Sequence, residues 1–558
     1  MNGFDFIIVG GGTAGCVVAN RLSAKGIKVL LIEAGIDIPP SRIPEDINDL
    51  YPRSYFNPVY SWPRLTAFQS AHGSNVKTPF IQAKILGGGS NIMGMIALRG
   101  LPGDYDSWSE LGISGWGWKD VIPRFDRIQR DIDSYVENNF DSNNVCVRRL
   151  EPFERPAFAK AIGIAAENQG FDFIKDMNSE FKDGYGSLPL SSTQVGRVSS
   201  TTAYLGESVR KRDSLTILCE AEVRKLIIKN NRCCGVEVRL KNKLKIYYAD
   251  EVILSGGSIF SPVILMRSGI GNADEINSSG LKVVSNLRGV GNNLQNHPVV
   301  YLATHLDPSA RQSSNIRPGF STQLRMSSGA GKIPSDIQIL VLSKSSWQGI
   351  GTSIAALGVC LSAVESRGKV TLSSHSPDLN PEVDFNFLTS ELDIARLGKG
   401  FEMACKLMQD PIVKCIRNEV FSAGYSRIIR GLNSPGILNS FISSCIGRTL
   451  DVSILRRSIL RWGIAGGNIS EKRLLDHKWR SKTVSNRTFG TYHCVGTCSM
   501  GEANNPDTVV DNHCRVVGIS GLRVIDASIM PVIPRANTNL PVQMLAERAS
   551  DIILNSEI

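Results

Sequence analysis

The segment from Phe4 to Glu33 leaves this chain few ways to fold. Phe4 to Val9, Phe-Asp-Phe-Ile-Ile-Val, is apolar and reads as a strand. Gly10-Gly11-Gly12-Thr13-Ala14-Gly15 follows, then a helical stretch to Lys25 and a second strand, Lys28 to Ile32, which Glu33 ends. The spacing Gly10, Gly12, Gly15 in that context is the G-x-G-x-x-G fingerprint of a dinucleotide-binding βαβ unit. Gly10 permits the tight turn, Gly12 lets backbone approach a pyrophosphate, and Gly15 allows close helix–strand packing. The first amides of the helix, at Thr13 and Ala14, offer donors and partial positive charge to the diphosphate. Glu33, with Ala34 beside it, is placed to accept from ribose hydroxyls. The motif does not say which dinucleotide is bound.

A length of 558 residues exceeds one simple core, so two domains or one two-part domain is expected. With 42% apolar and 20% charged residues and no low-complexity tract, the chain reads as globular and soluble. The 52 glycines fit a backbone that comes close to a large ligand at several points. The formal charge of +10 is dispersed, with short runs such as Arg210-Lys211-Arg212, which argues for a solvated surface and against nucleic acid. Twelve cysteines show no framework spacing and no secretory signal precedes the first strand, so a cytoplasmic protein with reduced thiols is expected. The uncharged stretch Ser345 to Val364 holds Gln348, Thr352 and Ser353 and reads as buried strands rather than a membrane span.

A second glycine cluster, Gly87-Gly88-Gly89-Ser90-Asn91-Ile92-Met93-Gly94, runs straight into apolar residues, as expected of backbone lying against a ligand. The run 83–106, with Asp104-Tyr105-Asp106-Ser107-Trp108 and Gly115-Trp116-Gly117-Trp118, resembles the first signature of the glucose–methanol–choline (GMC) oxidoreductase family and the stretch after it. The run from Gly257 to Gly271 resembles the second signature. Val290 to Pro298 and Ser366 to Val370 add further matches, and the resemblance runs from Phe4 to about Ile553.

The resemblance implies FAD bound in extended form. Gly10, Gly12, Thr13, Ala14, Gly15, Glu33 and Ala34 would hold the ADP part, and Val223 would present its backbone to the adenine. Gly87, Gly88, Ser90, Asn91 and Gly94 would lie along the diphosphate and flavin, with Gly256, Asp526, Ala527 and Thr538 completing the site. Family members that tether the flavin carry a histidine where this chain has Ile92, so non-covalent FAD is expected. Met93 stands where the family usually has Asn or His, and a thioether cannot donate a hydrogen bond.

Residues 490–501, Gly-Thr-Tyr-His-Cys-Val-Gly-Thr-Cys-Ser-Met-Gly, are followed by Asn537 in Pro534-Arg535-Ala536-Asn537-Thr538. By resemblance His493 and Asn537 form the active-site pair. An imidazole suits the removal of an alcohol proton near neutral pH, and a neutral amide N–H suits orienting the oxygen. The resemblance thus implies oxidation of an alcohol to an aldehyde or ketone by hydride transfer to flavin N5. Electrons would pass to oxygen or another acceptor such as a quinone, a dehydrogenase being preferred to an oxidase. The other histidines have blander readings: His297 as structural or flavin-adjacent, and His72, His305, His375, His477 and His513 as surface or packing residues. Cys494 and Cys498 lack metal-site spacing and read as packing, and no metal is expected. Hydrolase motifs are absent. No aromatic or acidic cluster argues for a quaternary-ammonium cage.

The expected fold is α/β, with a Rossmann-like FAD-binding domain and an α+β substrate-binding domain, both discontinuous. The first takes 1–35, 80–110, 200–300 and 490–558, ending in a helix from Leu540 to Leu554. The second takes 150–200 and 300–485, including strands at Gly368 to Leu372 and Pro381 to Phe387. Segments 36–79 and 111–149 connect or cover. Ile437 to Cys445 and Ile454 to Trp462 read as amphipathic helices walling the substrate part. The sharper alternative is a membrane-surface face carrying Arg456, Arg457, Arg461 and Trp462. Two rival functions are a cyanohydrin lyase that keeps FAD without redox chemistry and a non-catalytic flavoprotein.

Overall fold

The computed structural model describes residues 3–69, 76–132, 144–373, 376, 378–423, 431–461 and 471–556. Phe4–Val9 lies at the centre of a parallel layer, between Val29–Ile32 and the long strand Lys243–Leu254. Leu215–Leu218 extends the layer past Val29–Ile32, and Leu522–Val524 joins the end of the long strand in parallel. Ile7, Ile8, Leu31 and Ile253 are fully buried, as expected for strands covered on both faces. The exposed first half of Lys243–Leu254 leaves this layer and pairs antiparallel with Arg232–Leu240, which pairs with Ala221–Lys229. The helix Thr13–Ser23 packs on the C-terminal helix Asn539–Ser556.

A second, antiparallel sheet runs in the order Arg417–Ala423, Pro298–Leu306, Ile354–Leu361, Ile337–Leu342, Phe320–Met326, Gly184–Ser187, Phe173–Ile174. The helix Glu391–Gln409 packs on it. Side chains alternate along Pro298–Leu306: Val300 and Leu302 enter the main core, while Val299, Tyr301 and Ala303 face a cavity.

Three expectations need revision. Lys369–Thr371 and Glu382–Asp384 are strands, yet they form a separate small sheet with Thr66–Phe68 and Lys77–Pro79. Gly368 exchanges backbone hydrogen bonds with Leu294 at 2.8 and 3.0 Å, which holds the pair away from the larger sheet. The stretch 345–364 holds one strand, Ile354–Leu361, after a helical turn at Gly349–Thr352, and among the described residues no helix is long and apolar enough to cross a membrane. The helices Ile437–Thr449 and Ser453–Ile459 form, but Arg456 is not a surface cation. It is buried, with Nε 2.5 Å from the Glu419 carboxylate and Nη1 3.1 Å from the Leu450 carbonyl, because the helix end needs an inward donor. Arg457 is exposed and also meets Glu419, Arg461 is exposed, and Trp462 lies outside the described residues. His72 and His375 lie outside them too.

The tail is tied to the glycine-rich region by polar pegs. Asp104 accepts from the Leu101 and Arg535 amides at 2.8 and 2.9 Å and from Arg535 Nε at 2.5 Å, all in a buried setting. The indole N–H groups of Trp108 and Trp116 donate to the Val532 and Asn512 carbonyls, both at 3.0 Å. Truncating one partner of a buried ion pair strands the other charge, at a cost of about 3–5 kcal/mol. Asp104→Ala is therefore expected to lower the urea unfolding midpoint substantially, whereas an unchanged midpoint would show that the pair does not anchor the tail.

Candidate active site

The first turn is built for contact. Gly10 has φ of +102°, and a Cβ there would sit 2.4 Å from the Ser255 carbonyl oxygen. A Cβ on Gly15 would lie 2.0 Å from the Gly10 carbonyl oxygen, so the helix can press onto the turn only through glycine. Glu33 is buried, and its carboxylate accepts from the Gly11 and Gly35 amides at 2.8 and 2.7 Å, with the Ala34 amide close by. Burial pushes its pKa up against those bonds. Glu33 therefore braces the turn and keeps lone pairs free for another donor. Ala221 N–H bonds the Glu33 carbonyl at 2.9 Å, which brings the strand carrying Val223 to this end of the layer.

The second glycine segment lies directly on the first. A Cβ on Gly88, whose φ is +56°, would stand 2.9 Å from Gly12 Cα, and Gly87 N–H bonds the Gly11 carbonyl at 2.6 Å. Ser90 Oγ donates to the Gly87 carbonyl and accepts from the Ser200 amide, and Asn91 Nδ2 donates to the Leu86 carbonyl. The buried Arg197, which the sequence did not reveal, donates from Nη1 to the Ser90 carbonyl at 3.0 Å and the Met93 carbonyl at 2.6 Å. Burial lowers its pKa to about 10, leaving the guanidinium charged at neutral pH. Gly94 leaves room for the Phe320 ring, which a Cβ would approach to 3.1 Å.

A cavity of about 780 Å³ opens in front of these loops. Thr13, Ala14, Ser90, Ile92, Met93, Gly94, Asp526, Ala527, Thr538, His493 and Asn537 are all on its wall. Gly10, Gly12, Gly15, Glu33, Ala34, Gly87, Gly88, Asn91, Val223 and Gly256 stand behind that wall. Both oxygens of Asp526 are engaged: one accepts from Gly257 N–H and Ser261 Oγ, the other from Ser528 N–H and Oγ. Gly256 N–H donates to Ser261 Oγ at 3.0 Å, closing the same network. The second sheet supplies the far wall. From Val299 to Ala303 it extends ~13 Å, at about 3.3 Å per residue.

His493 and Asn537, 44 positions apart, meet at this wall with Nε2 and Nδ2 separated by 2.9 Å. On the other side of the ring, Nδ1 lies 3.0 Å from His297 Nδ1. Asn296 holds the segment: its Oδ1 accepts from the His493 amide at 3.0 Å and from Thr491 Oγ1 at 2.9 Å. Burial pushes the His493 pKa down to about 4. His297 is pushed well below its usual value by burial and by His493. Cys494 is on the cavity wall and Cys498 is buried, and all twelve cysteines are unpaired. Among the described residues no cluster of His, Cys, Asp or Glu could hold a metal.

Two facing layers, a doubled glycine turn and a histidine–asparagine pair on one cavity define a nucleotide-cofactor oxidoreductase. The GMC oxidoreductase family model matches residues 4–299 with its N-terminal part and 364–546 with its C-terminal part. The chain belongs to the GMC oxidoreductase family, whose members are FAD enzymes. It is 35% identical over 99% of its length to 98% of a 5-(hydroxymethyl)furfural oxidase from Methylovorus sp. (strain MP688). It is 29% identical over 99% of its length to 93% of an oxygen-dependent choline dehydrogenase from Photobacterium profundum. Among solved structures, pyridoxine 4-oxidase from Mesorbium loti superposes with a TM-score of 0.78 at 24% identity, covering 98% of each chain.

The residues present suit FAD. The start of the Thr13–Ser23 helix points donors at the cavity, as a diphosphate requires, and the two glycine loops leave backbone bare beside it. Gly88→Val would force the loops apart at the Gly12 contact. The purified variant is expected to carry less than a tenth of the wild-type flavin absorbance per protein, and a normal flavin content would refute this use of the loop contact.

Proposed function

We propose that the protein oxidises an alcohol to an aldehyde or ketone with FAD, His493 taking the hydroxyl proton and Asn537 positioning the oxygen. The 2.9 Å approach of His493 Nε2 to Asn537 Nδ2, on the wall of the cavity that starts at the Thr13 helix, carries this reading. When bound, FAD supplies the hydride acceptor. An oxygen seated between the two side chains can accept from the amide N–H and donate to the imidazole lone pair. Removing that proton favours departure of the carbinol hydrogen as hydride. In this reading the glycine turn, Glu33, Ala34 and the Val223 backbone hold the ADP part. Gly87 to Gly94, with Gly256, Asp526, Ala527 and Thr538, flank the rest. The strands of the parallel layer belong to the cofactor domain and the antiparallel sheet to the substrate domain.

The substrate is an uncharged alcohol with an apolar or aromatic body. Tyr301, Ala303, Phe320, Leu342, Ile354 and Phe421 line the far part of the cavity, and the only carboxylate on its described wall, Asp526, is already saturated by four donors. The relative named for 5-(hydroxymethyl)furfural supports this class over a cationic alcohol. That relative is an oxidase and the second is oxygen-dependent, so oxygen is the acceptor to test first, followed by a quinone. The unpaired thiols support a cytoplasmic setting.

Anaerobic mixing with a panel of alcohols is expected to bleach the flavin fastest with aryl primary alcohols; if none bleaches it, alcohol oxidation is the wrong activity. His493→Ala should slow bleaching by roughly 10²–10⁴-fold with flavin still bound. The base works when neutral, so activity persists above its pKa and is lost below it. Because burial places that value at about 4, kcat/KM should hold from pH 8 to about 5 and then fall. A limb near the unperturbed value of about 6.5 would contradict the buried base. Ile92 offers no atom for a flavin bond, so acid precipitation should leave the flavin in the supernatant. Flavin pelleting with the protein would refute non-covalent binding.

A further inference from the structure

We propose that His297 is a positioning residue that fixes His493 in the one neutral form able to act as base at the cavity. The proposal rests on His493 being that base. The two rings meet edge to face, with centroids 5.2 Å apart and planes inclined at 79°, and their Nδ1 atoms are 3.0 Å apart. A neutral imidazole has one N–H and one lone pair, so across this contact one Nδ1 must donate and the other accept.

The direction is set from both ends. Asn537 Nδ2 can only donate, so the His493 Nε2 beside it at 2.9 Å presents its lone pair, and the ring hydrogen is on Nδ1. At the other end, His297 Nε2 is buried and has no well-formed hydrogen bond. The carbonyls of Ser362 and Pro534 near the ring nevertheless favour its carrying a hydrogen. With that hydrogen on Nε2, His297 Nδ1 is an acceptor. The row therefore has one sense: Asn537 N–H to His493 Nε2, then His493 Nδ1–H to His297 Nδ1.

The backbone makes this geometry rigid. The His297 carbonyl accepts from Thr491 N–H at 2.9 Å, and its neighbour Asn296 bonds the His493 amide and Thr491. His297 is only 1% exposed. Without its acceptor, the His493 ring hydrogen is free to move to Nε2, where it would meet the substrate oxygen with a donor in place of a lone pair. When the alcohol proton reaches Nε2, leaving an alkoxide, the Nδ1–H bond to His297 persists and supports the imidazolium. A carboxylate in this place would stabilise that cation and hold the proton; a neutral imidazole supports it without the added charge.

The test compares His297→Leu, which removes the acceptor, with His297→Asn, whose Oδ1 can take the place of Nδ1. Flavin content and KM should be little changed in both. The Leu variant should lose about 10²-fold in kcat and shift its acid limb, and the Asn variant should recover most of the loss. Independently of turnover, ¹⁵N shifts of selectively labelled histidines should show His493 as Nδ1–H in the wild type and no longer so in the Leu variant. The inference is overturned if wild-type His493 is Nε2–H, if His297→Leu keeps its kcat and pH profile, or if Asn is as slow as Leu. A wild-type Nδ1–H ring in a protein that oxidises no alcohol would support the tautomer assignment and refute the proposed activity, so the two failures are distinct.

Discussion

Backbone meets backbone at Gly12 and Gly88 with no space for a side chain, and much of the architecture follows from that contact. The first loop belongs to the central βαβ unit, and the second arrives from a different part of the chain. Holding them together takes Gly87 N–H on the Gly11 carbonyl, Ser90 on Ser200, and Arg197 on the Ser90 and Met93 carbonyls. The result is a strip of bare backbone at a helix start, with Ile92 and Met93 carried to the cavity wall beyond it. Met93 sits there with its carbonyl clamped by Arg197, so its backbone helps to shape the loop whatever its side chain contributes.

The other half of the site depends on a different kind of fixation. His493 and Asn537 are held by the loops that carry them: Asn296 grips one, and the Asp104–Arg535 pair sits two residues before the other. This part of the cavity is polar yet almost free of charge. Burial keeps both histidines neutral, and the one carboxylate on the described wall is fully engaged. In such surroundings hydrogen-bond direction, rather than ion pairing, decides which atom is the base.

The βαβ unit was legible in sequence because its causes are local: glycine spacing, strand composition and the acid that ends the second strand all lie within thirty residues. The cavity pair was legible only through resemblance to a family, since nothing between residues 493 and 537 says that they meet. Arg197, Asn296 and the Asp104–Arg535 pair escaped notice because their partners are backbone carbonyls or residues hundreds of positions away. His297 was read as structural or flavin-adjacent; its contact with His493 is a matter of two loops crossing, which no periodicity reports. The strands near 370 and 383 were found but assigned to the wrong neighbours, because pairing partners of three-residue strands are set by tertiary packing. Arg456 failed for a related reason: helical periodicity placed it on a basic face, while Glu419 drew it inward.

The central claim is that carbon–hydrogen cleavage of an alcohol occurs against the His493–Asn537 pair, with FAD as the acceptor. The most direct measurement is the anaerobic rate of flavin reduction by an aryl primary alcohol and by the same alcohol carrying deuterium at the carbinol carbon. The account predicts distinctly slower reduction with the deuterated alcohol at saturating concentration. Equal rates when bond cleavage limits reduction, shown by a rate independent of viscosity, would contradict it.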